Sequence, residues 1–194
     1  ETLSVFSKVF ALVISMHLGY LLLLYFVAGS VNNKNPLKAL KTMVPAYVTA
    51  LGTMSSAATI PVTLKKVKEN KVTEKIADFV VPLGANIHMA GSIITLVTCS
   101  MAVVIIQGGT PSFDLYLQFI LLLGVTIIAS PGVPGGSVMA ALGLLTTILG
   151  FGDAASGLMI GLYLAQDSFG TATNVTGDGA ISMLVDKMQS KFAA

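Results

Sequence analysis

Two aspartates, Asp167 and Asp178, sit in an apolar stretch where a negative charge is expensive, LYLAQDSFGTATNVTGDGAI. No lysine or arginine lies between Lys75 and Lys187, and the chain contains no arginine at all. Inside a membrane, a carboxylate is costly unless a cation or a polar cavity compensates it. No side-chain cation is nearby in sequence, so a bound ion or the cationic group of a substrate is the simplest compensation. Asp167, Thr171 and Asn174 fall at i, i+4 and i+7, and Asp178 follows Asn174 by four. On a helix all four share one face. Such a face can pair an ammonium group, and its hard oxygen donors suit a hard cation. The plainer alternative is that the aspartates cap helix ends at a membrane boundary, and their depth in the run weighs against it.

The elements that must position these residues are those of a membrane protein. The chain is 54% hydrophobic and 10% charged, has no Trp, and has a mean hydropathy of +0.85. A soluble domain carries about 25% charged residues. The expected class is all-α integral membrane. Nineteen glycines agree with it, since Gly is common in transmembrane helices and at their close contacts. The single Cys99 excludes an internal disulfide and reads as a small buried apolar residue. The start at Glu1, without Met or a signal-peptide pattern, reads as a fragment or a processed chain.

Residues 5–28 form an apolar run long enough to span a bilayer. Residues 36–64 form a first helical hairpin, broken across the small and hydroxylic run Thr49–Pro61. Lys65 to Lys75 reads as a basic polar loop. Residues 76–107 form a second span, interrupted at GANIHMAGS; residues 115–149 form a second hairpin around SPGVPGGS. Residues 155–187 read as one last helix. Neither hairpin tip carries a charge, as a water-facing loop would. Non-helical backbone at membrane depth is tolerated where it lines a cavity, and interrupted apolar segments point to a transporter binding site. Both hairpins are therefore expected to be re-entrant. The lysines agree: Lys34, Lys38, Lys41, Lys65, Lys66, Lys68, Lys71, Lys75, Lys187 and Lys191 all become cytoplasmic if the first hairpin re-enters.

SSAATIPVT, GANIHMAGS, GVPGG and DSFGTATNVTGD occur in this order. Together they resemble the dicarboxylate/amino-acid:cation symporter family, which includes archaeal aspartate transporters and excitatory glutamate transporters. The resemblance covers the C-terminal half of such a transporter. It makes residues 1–194 a single transport-domain fragment, implies a multi-pass protein of the cell (inner) membrane in contact with lipid, and implies a homotrimer built through a scaffold outside this chain. It also implies roles. Asp167 would hold the substrate ammonium, with Thr171 and Asn174 contacting substrate. Ser55, Ser56 and the Val133–Gly136 backbone, Gly135 included, would cap the α-carboxylate. Asp178, Asn174 and the Gly84 carbonyl would bind sodium, with His88 beside them and Met89 placing a thioether near the ions.

Departures from the family pattern narrow the substrate. Gly170 and Met54 stand where acidic-substrate members carry arginine. Without a guanidinium, no bidentate clamp exists for a side-chain carboxylate. Ala90 removes a carboxylate that serves a deeper sodium site in the family. His-Met-Ala-Gly-Ser and Gln-Asp-Ser look like the serine/threonine:sodium branch. His88 replaces a family asparagine; it could carry a proton or act as a neutral hydrogen-bonding substitute. His17, at mid-span of the first helix, reads as an interhelical hydrogen-bonding group. The expected function is sodium-coupled symport of a small neutral amino acid such as serine, threonine or alanine. The alternatives are a proton-coupled or differently selective carrier of the same fold, and a non-transporting membrane fragment. No nucleophile–base pair, metal-cluster spacing or phosphate loop suggests an enzyme, and no nucleic-acid partner is expected.

Overall fold

The computed structural model describes residues 2–192. Among them the chain is all helical. A long first helix, α1 (Thr2–Asn32), is followed by α2 (Pro36–Thr42), α3 (Val44–Thr53), α4 (Ser56–Glu69), α5 (Glu74–Ile87), α6 (Ala90–Ile106), α7 (Phe113–Thr126), α8 (Gly136–Thr147), α9 (Asp153–Leu164) and α10 (Asp167–Phe192). A 3-10 turn, Ile127–Ala129, ends α7. Two stretches, Phe6–Asn32 and the α5–α6 pair Glu74–Ile106, are long and apolar enough to cross a membrane. Leu12, Leu23 and Phe26 on α1, and Phe113, Leu121 and Val125 on α7, stand exposed. A bilayer is the solvent that accepts such surfaces.

Helix α10 is the centre. Residues 170–180 are all buried, and α10 touches α1, α3, α4, α5 and α6. One apolar core gathers Val13, Leu96, Phe119, Leu123, Leu145 and Met159; the other gathers Tyr25, Met43, Ala50, Val81, Val175 and Met183. Close crossing needs bare backbone. A Cβ on Gly91 of α6 would run into the Gly170 carbonyl of α10, so these two glycines let the helices meet, as small residues do at membrane helix crossings.

The first hairpin breaks inside the hydroxylic run, as expected, but far more sharply than the run's length suggests. Helix α3 continues through Thr53, and α4 starts at Ser56 and contains Pro61. The threonines do not compete with the helix, because their hydroxyls bond back to carbonyls four residues earlier: Thr49 Oγ1 donates to Pro45 O at 2.8 Å, and Thr63 Oγ1 to Thr59 O at 3.1 Å. Only Met54 and Ser55 lie between the helices. Met54 takes a left-handed conformation (φ 49°), rare for a residue with a side chain. Ser55 is extended and caps α4, its Oγ accepting from Ala58 N at 3.2 Å.

The expected basic loop is mostly helix as well. Helix α4 runs to Glu69, so Lys65, Lys66 and Lys68 project from its last turns, where cations suit the helix dipole. Lys68 pairs with Asp78 and Glu74, both at 2.9 Å, and Asp78 first, then Glu74, hold its ammonium above the usual lysine range. Being exposed, these pairs contribute little. Lys34 Nζ donates to Asn70 O at 2.8 Å and Lys71 O at 3.3 Å, and Asn70 Nδ2 donates to Ala39 O at 3.0 Å. Thr73 donates through N and Oγ1 to Asp186 Oδ1. The base of the first hairpin is thus tied to the α1–α2 connection, and the start of α5 to the end of α10.

The last apolar segment is two helices, not one. It breaks at Ala165–Gln166, between α9 and α10. The carbonyl of Leu162, which Gln166 N would satisfy in a continuous helix, instead accepts from the Gln166 side chain at 3.1 Å. That amide also donates to Cys99 Sγ at 3.2 Å. A side chain with two donors makes the break affordable in a buried place, and it puts Asp167 in the first turn of α10, where an anion faces the positive helix end.

Candidate functional site

Residues from four parts of the fold enclose a small cavity. Asp167, Thr171 and Asn174 of α10 form one wall, in the one-face register that their spacing dictates. Met54 and Ser56 come from the tip of the first hairpin, Gly132, Val133 and Ser137 from the second, and Met89 and Ser92 from the α5–α6 break. Asp167, Thr171 and Asn174 are each at most 6% exposed. The room for water-sized spheres is about 10 Å³, enough for one water.

The tips of the two hairpins meet here. Ser55 Oγ donates to Gly132 O at 2.6 Å. Gly135, with a positive φ of 73°, presents its N–H to Asp167 Oδ2 at 2.7 Å. The position requires glycine, since L side chains rarely adopt that backbone. Among the expected substrate residues, Ser56, Val133, Asp167, Thr171 and Asn174 line the cavity. Ser55 and Gly135 lie just behind it and act through these two bonds.

Polar character is divided across the cavity. The Asp167 carboxylate forms one side. The N-termini of α4 and α8 bring Ser56, Ser137 and helix-end dipoles to the same space, the α8 end lying directly against Asp167 through Gly135 N. No lysine or histidine lines it. Gly170, three residues beyond Asp167, is turned toward α6: a Cβ there would meet Thr95 Oγ1 at 3.4 Å and Gly91 at 3.5 Å.

The expected ion-binding residues also converge, one turn further along α10, but in an arrangement their spacing could not show. His88, in the α5–α6 break, places Nδ1 at 2.9 Å from Asp178 Oδ1 and 3.1 Å from Asn174 O. The His88 backbone N–H donates to Gly84 O at 2.9 Å. Asn174 Oδ1 accepts from Gly91 N at 2.7 Å, and its Nδ2 donates to Ser92 Oγ at 2.9 Å. The His88 ring thus stands between two of the oxygens expected to hold sodium, Asn174 O and Asp178 Oδ1, and its backbone N–H is on the third, Gly84 O. Asp178, which lacks a basic neighbour in sequence, has a ring nitrogen as partner across ninety residues of chain.

Sequence reasoning passed over Tyr20, whose hydroxyl is 2.8 Å from His88 Nε2, and Tyr163, fully buried with a hydroxyl that has no hydrogen-bond partner among the described residues. A signal for Tyr20 existed: it lies at i+3 from His17, on the same face of a helix that is otherwise apolar. His17 itself is buried, its Nε2 3.0 Å from Gly91 O and 3.2 Å from Thr95 Oγ1, an interhelical contact as expected.

Comparison with known proteins agrees with the motifs. The sodium:dicarboxylate symporter family matches residues 1–188. Excitatory amino acid transporter 1 of Ambystoma tigrinum is 34% identical over 171 residues, 86% of this chain and 30% of that protein. Neutral amino acid transporter B(0) of Homo sapiens is 32% identical over 176 residues, 87% of this chain and 31% of that protein. An excitatory amino acid transporter of Caenorhabditis elegans is 31% identical over 157 residues, 80% of this chain and 30% of that protein. The chain spans about three tenths of the length of these curated relatives.

Proposed function

Because this chain belongs to the sodium:dicarboxylate symporter family, we propose that it forms the substrate-binding part of a sodium-coupled amino-acid symporter selective for small neutral amino acids. Transport, rather than an enzymatic reaction, is the activity of the family. The supporting observation is the polarity of the cavity. A buried carboxylate, Asp167, faces the N-termini of α4 and α8, and no cationic side chain lines the space. Once the hairpin tips part to enlarge this one-water space, a zwitterion matches its groups: the ammonium pairs Asp167, and the carboxylate meets the N-terminus of α4 and the hydroxyls of Ser56 and Ser137. A second carboxylate on the substrate would find no guanidinium and would be buried without a partner. The similarity to a neutral amino acid transporter favours the same reading.

In this reading Thr171 and Asn174 position the substrate through their side chains, while Ser55 and Gly135 set the hairpin tips. Both hairpins are re-entrant, their tips meeting near mid-membrane, and the lysine-rich end is cytoplasmic. The protein spans the cell membrane several times and assembles as a trimer through a scaffold outside this chain. Equilibrium binding of radiolabelled serine to purified protein, in sodium and in choline, tests the proposal. Serine binding that requires sodium and resists competition by equal aspartate is expected. Aspartate displacing serine at equal concentration sinks the selectivity, and equal binding in choline sinks the sodium coupling.

A further inference from the structure

We propose that His88 itself fills the cation position at Asp178, so that this chain takes no sodium there. The inference rests on the reading of the chain as a sodium-coupled transporter and narrows it.

The oxygens offered to an ion at this place are Gly84 O, Asn174 O and Asp178 Oδ1. All three accept hydrogen bonds from one residue. His88 N donates to Gly84 O, and His88 Nδ1 reaches both Asn174 O and Asp178 Oδ1. A carbonyl and a carboxylate only accept, so Nδ1 carries the proton between them. The second ring nitrogen is held by the Tyr20 hydroxyl at 2.8 Å. The imidazole is therefore fixed at both nitrogens, from α1 on one side and α10 on the other.

Packing makes room for this pair and for little else. A Cβ on Gly84 would lie 2.5 Å from Asp178 Oδ1, and one on Gly177 would collide with the His88 ring. Carboxylate and ring are each seated against bare backbone. Asp178 is 1% exposed, and a buried carboxylate must have a partner. His88 supplies it from within the fold. A dehydrated cation needs several oxygens converging on one point, and here the His88 ring occupies the point between Asn174 O and Asp178 Oδ1. Sodium that drives transport then binds elsewhere, and the identity of residue 88 sets the ion count.

The test counts radiolabelled sodium bound per molecule of purified protein by equilibrium dialysis, without amino acid. Asp178→Asn should leave the count unchanged. His88→Asn, which frees Asn174 O and Asp178 Oδ1 and leaves only the backbone N–H on Gly84 O, should raise it by one, and adding Asp178→Asn to that variant should remove the gain. A count lowered by Asp178→Asn alone, or unchanged by His88→Asn, overturns the proposal. The unaltered protein gives a second readout that needs no variant to fold. It has two histidines, so nitrogen NMR of isotope-labelled histidine isolates the His88 ring. Exchanging potassium for sodium should leave the ring signals in place; a saturable shift of both ring nitrogens overturns the proposal. Neither readout uses an amino acid, so failure to bind serine would overturn the transport reading alone.

Discussion

The backbone N–H of Gly135 donates to Asp167 Oδ2 at 2.7 Å, joining the tip of the second hairpin to the first turn of the central helix. The carboxylate expected to hold the substrate thus also holds the tip of the second hairpin. Asp167→Asn removes the charge that an ammonium would pair. A hydrogen bond to a charged group is worth about 1.5–3 kcal/mol, so serine affinity should fall by roughly 10- to 150-fold. Calorimetric titration of the variant checks this, and an affinity within twofold of the unaltered protein contradicts the assignment.

Met54 and Gly170 are unequal sites for an acquired cation. Met54 lines the cavity, whereas Gly170 is turned toward α6. Met54→Arg should therefore admit acidic amino acids, and Gly170→Arg should mainly disturb the α6–α10 crossing. Competition of aspartate against labelled serine separates them: aspartate should gain at least tenfold in Met54→Arg. No gain there means that this wall does not read the substrate side chain.

Glycines at crossings and glycines in open places should respond oppositely to alanine. Gly91→Ala puts a Cβ onto the Gly170 carbonyl. Backbone cannot swing aside, and overpacking costs about 1–3 kcal/mol. Gly143 in α8 has nothing within 4 Å of its would-be Cβ, so Gly143→Ala should be neutral or stabilising by up to about 1 kcal/mol. Thermal unfolding in one detergent compares them, and a Gly91→Ala midpoint at or above the unaltered protein's contradicts the close crossing.

Tyr20→Phe deletes the hydroxyl that holds His88 Nε2. The net loss should be about 0.5–1.5 kcal/mol, with freer motion of the ring. Histidine NMR should show the His88 signals broadened or shifted and those of His17 unmoved. Unchanged His88 signals would remove Tyr20 from the network.

Much of this architecture is legible in sequence because membrane helices obey few rules. Long apolar runs gave the spans, and uncharged Gly, Ser and Pro gave the tips. The spacing of Asp167, Thr171 and Asn174 gave the wall of the cavity, because three residues on one helix need only the helical period to be placed. Charge absence along the sequence was a weaker guide. It marked Asp178 as lacking a partner, whereas His88 reaches it from a helix break far along the chain, and only packing reveals such a contact. The break at Gln166 was equally hidden, since no Gly or Pro marks it and a side-chain amide stands in for the lost backbone donor. Threonines misled in the other direction: their hydroxyls read as helix breakers but bond back along the helix.

The two hairpins differ in how firmly they are held. The base of the first is bound by Lys34 and Asn70. Among the described hydrogen bonds, the tip of the second reaches other elements through Ser55 and Asp167 alone, and Val133 at that tip is 54% exposed. One neutral bond and one charge-assisted bond are together worth about 2–4.5 kcal/mol net. These two bonds alone would hold a lifted tip to between roughly one molecule in thirty and one in two thousand, before the packing of Gly132 beside Ala57 and Ala85 is counted. In the proposed transporter an amino acid entering by that side would draw on this minority, and its measured affinity would be weaker than its intrinsic affinity by the same fraction. Substitutions at Ser55 that touch no substrate would then shift apparent affinity, simply by changing how often the door stands open.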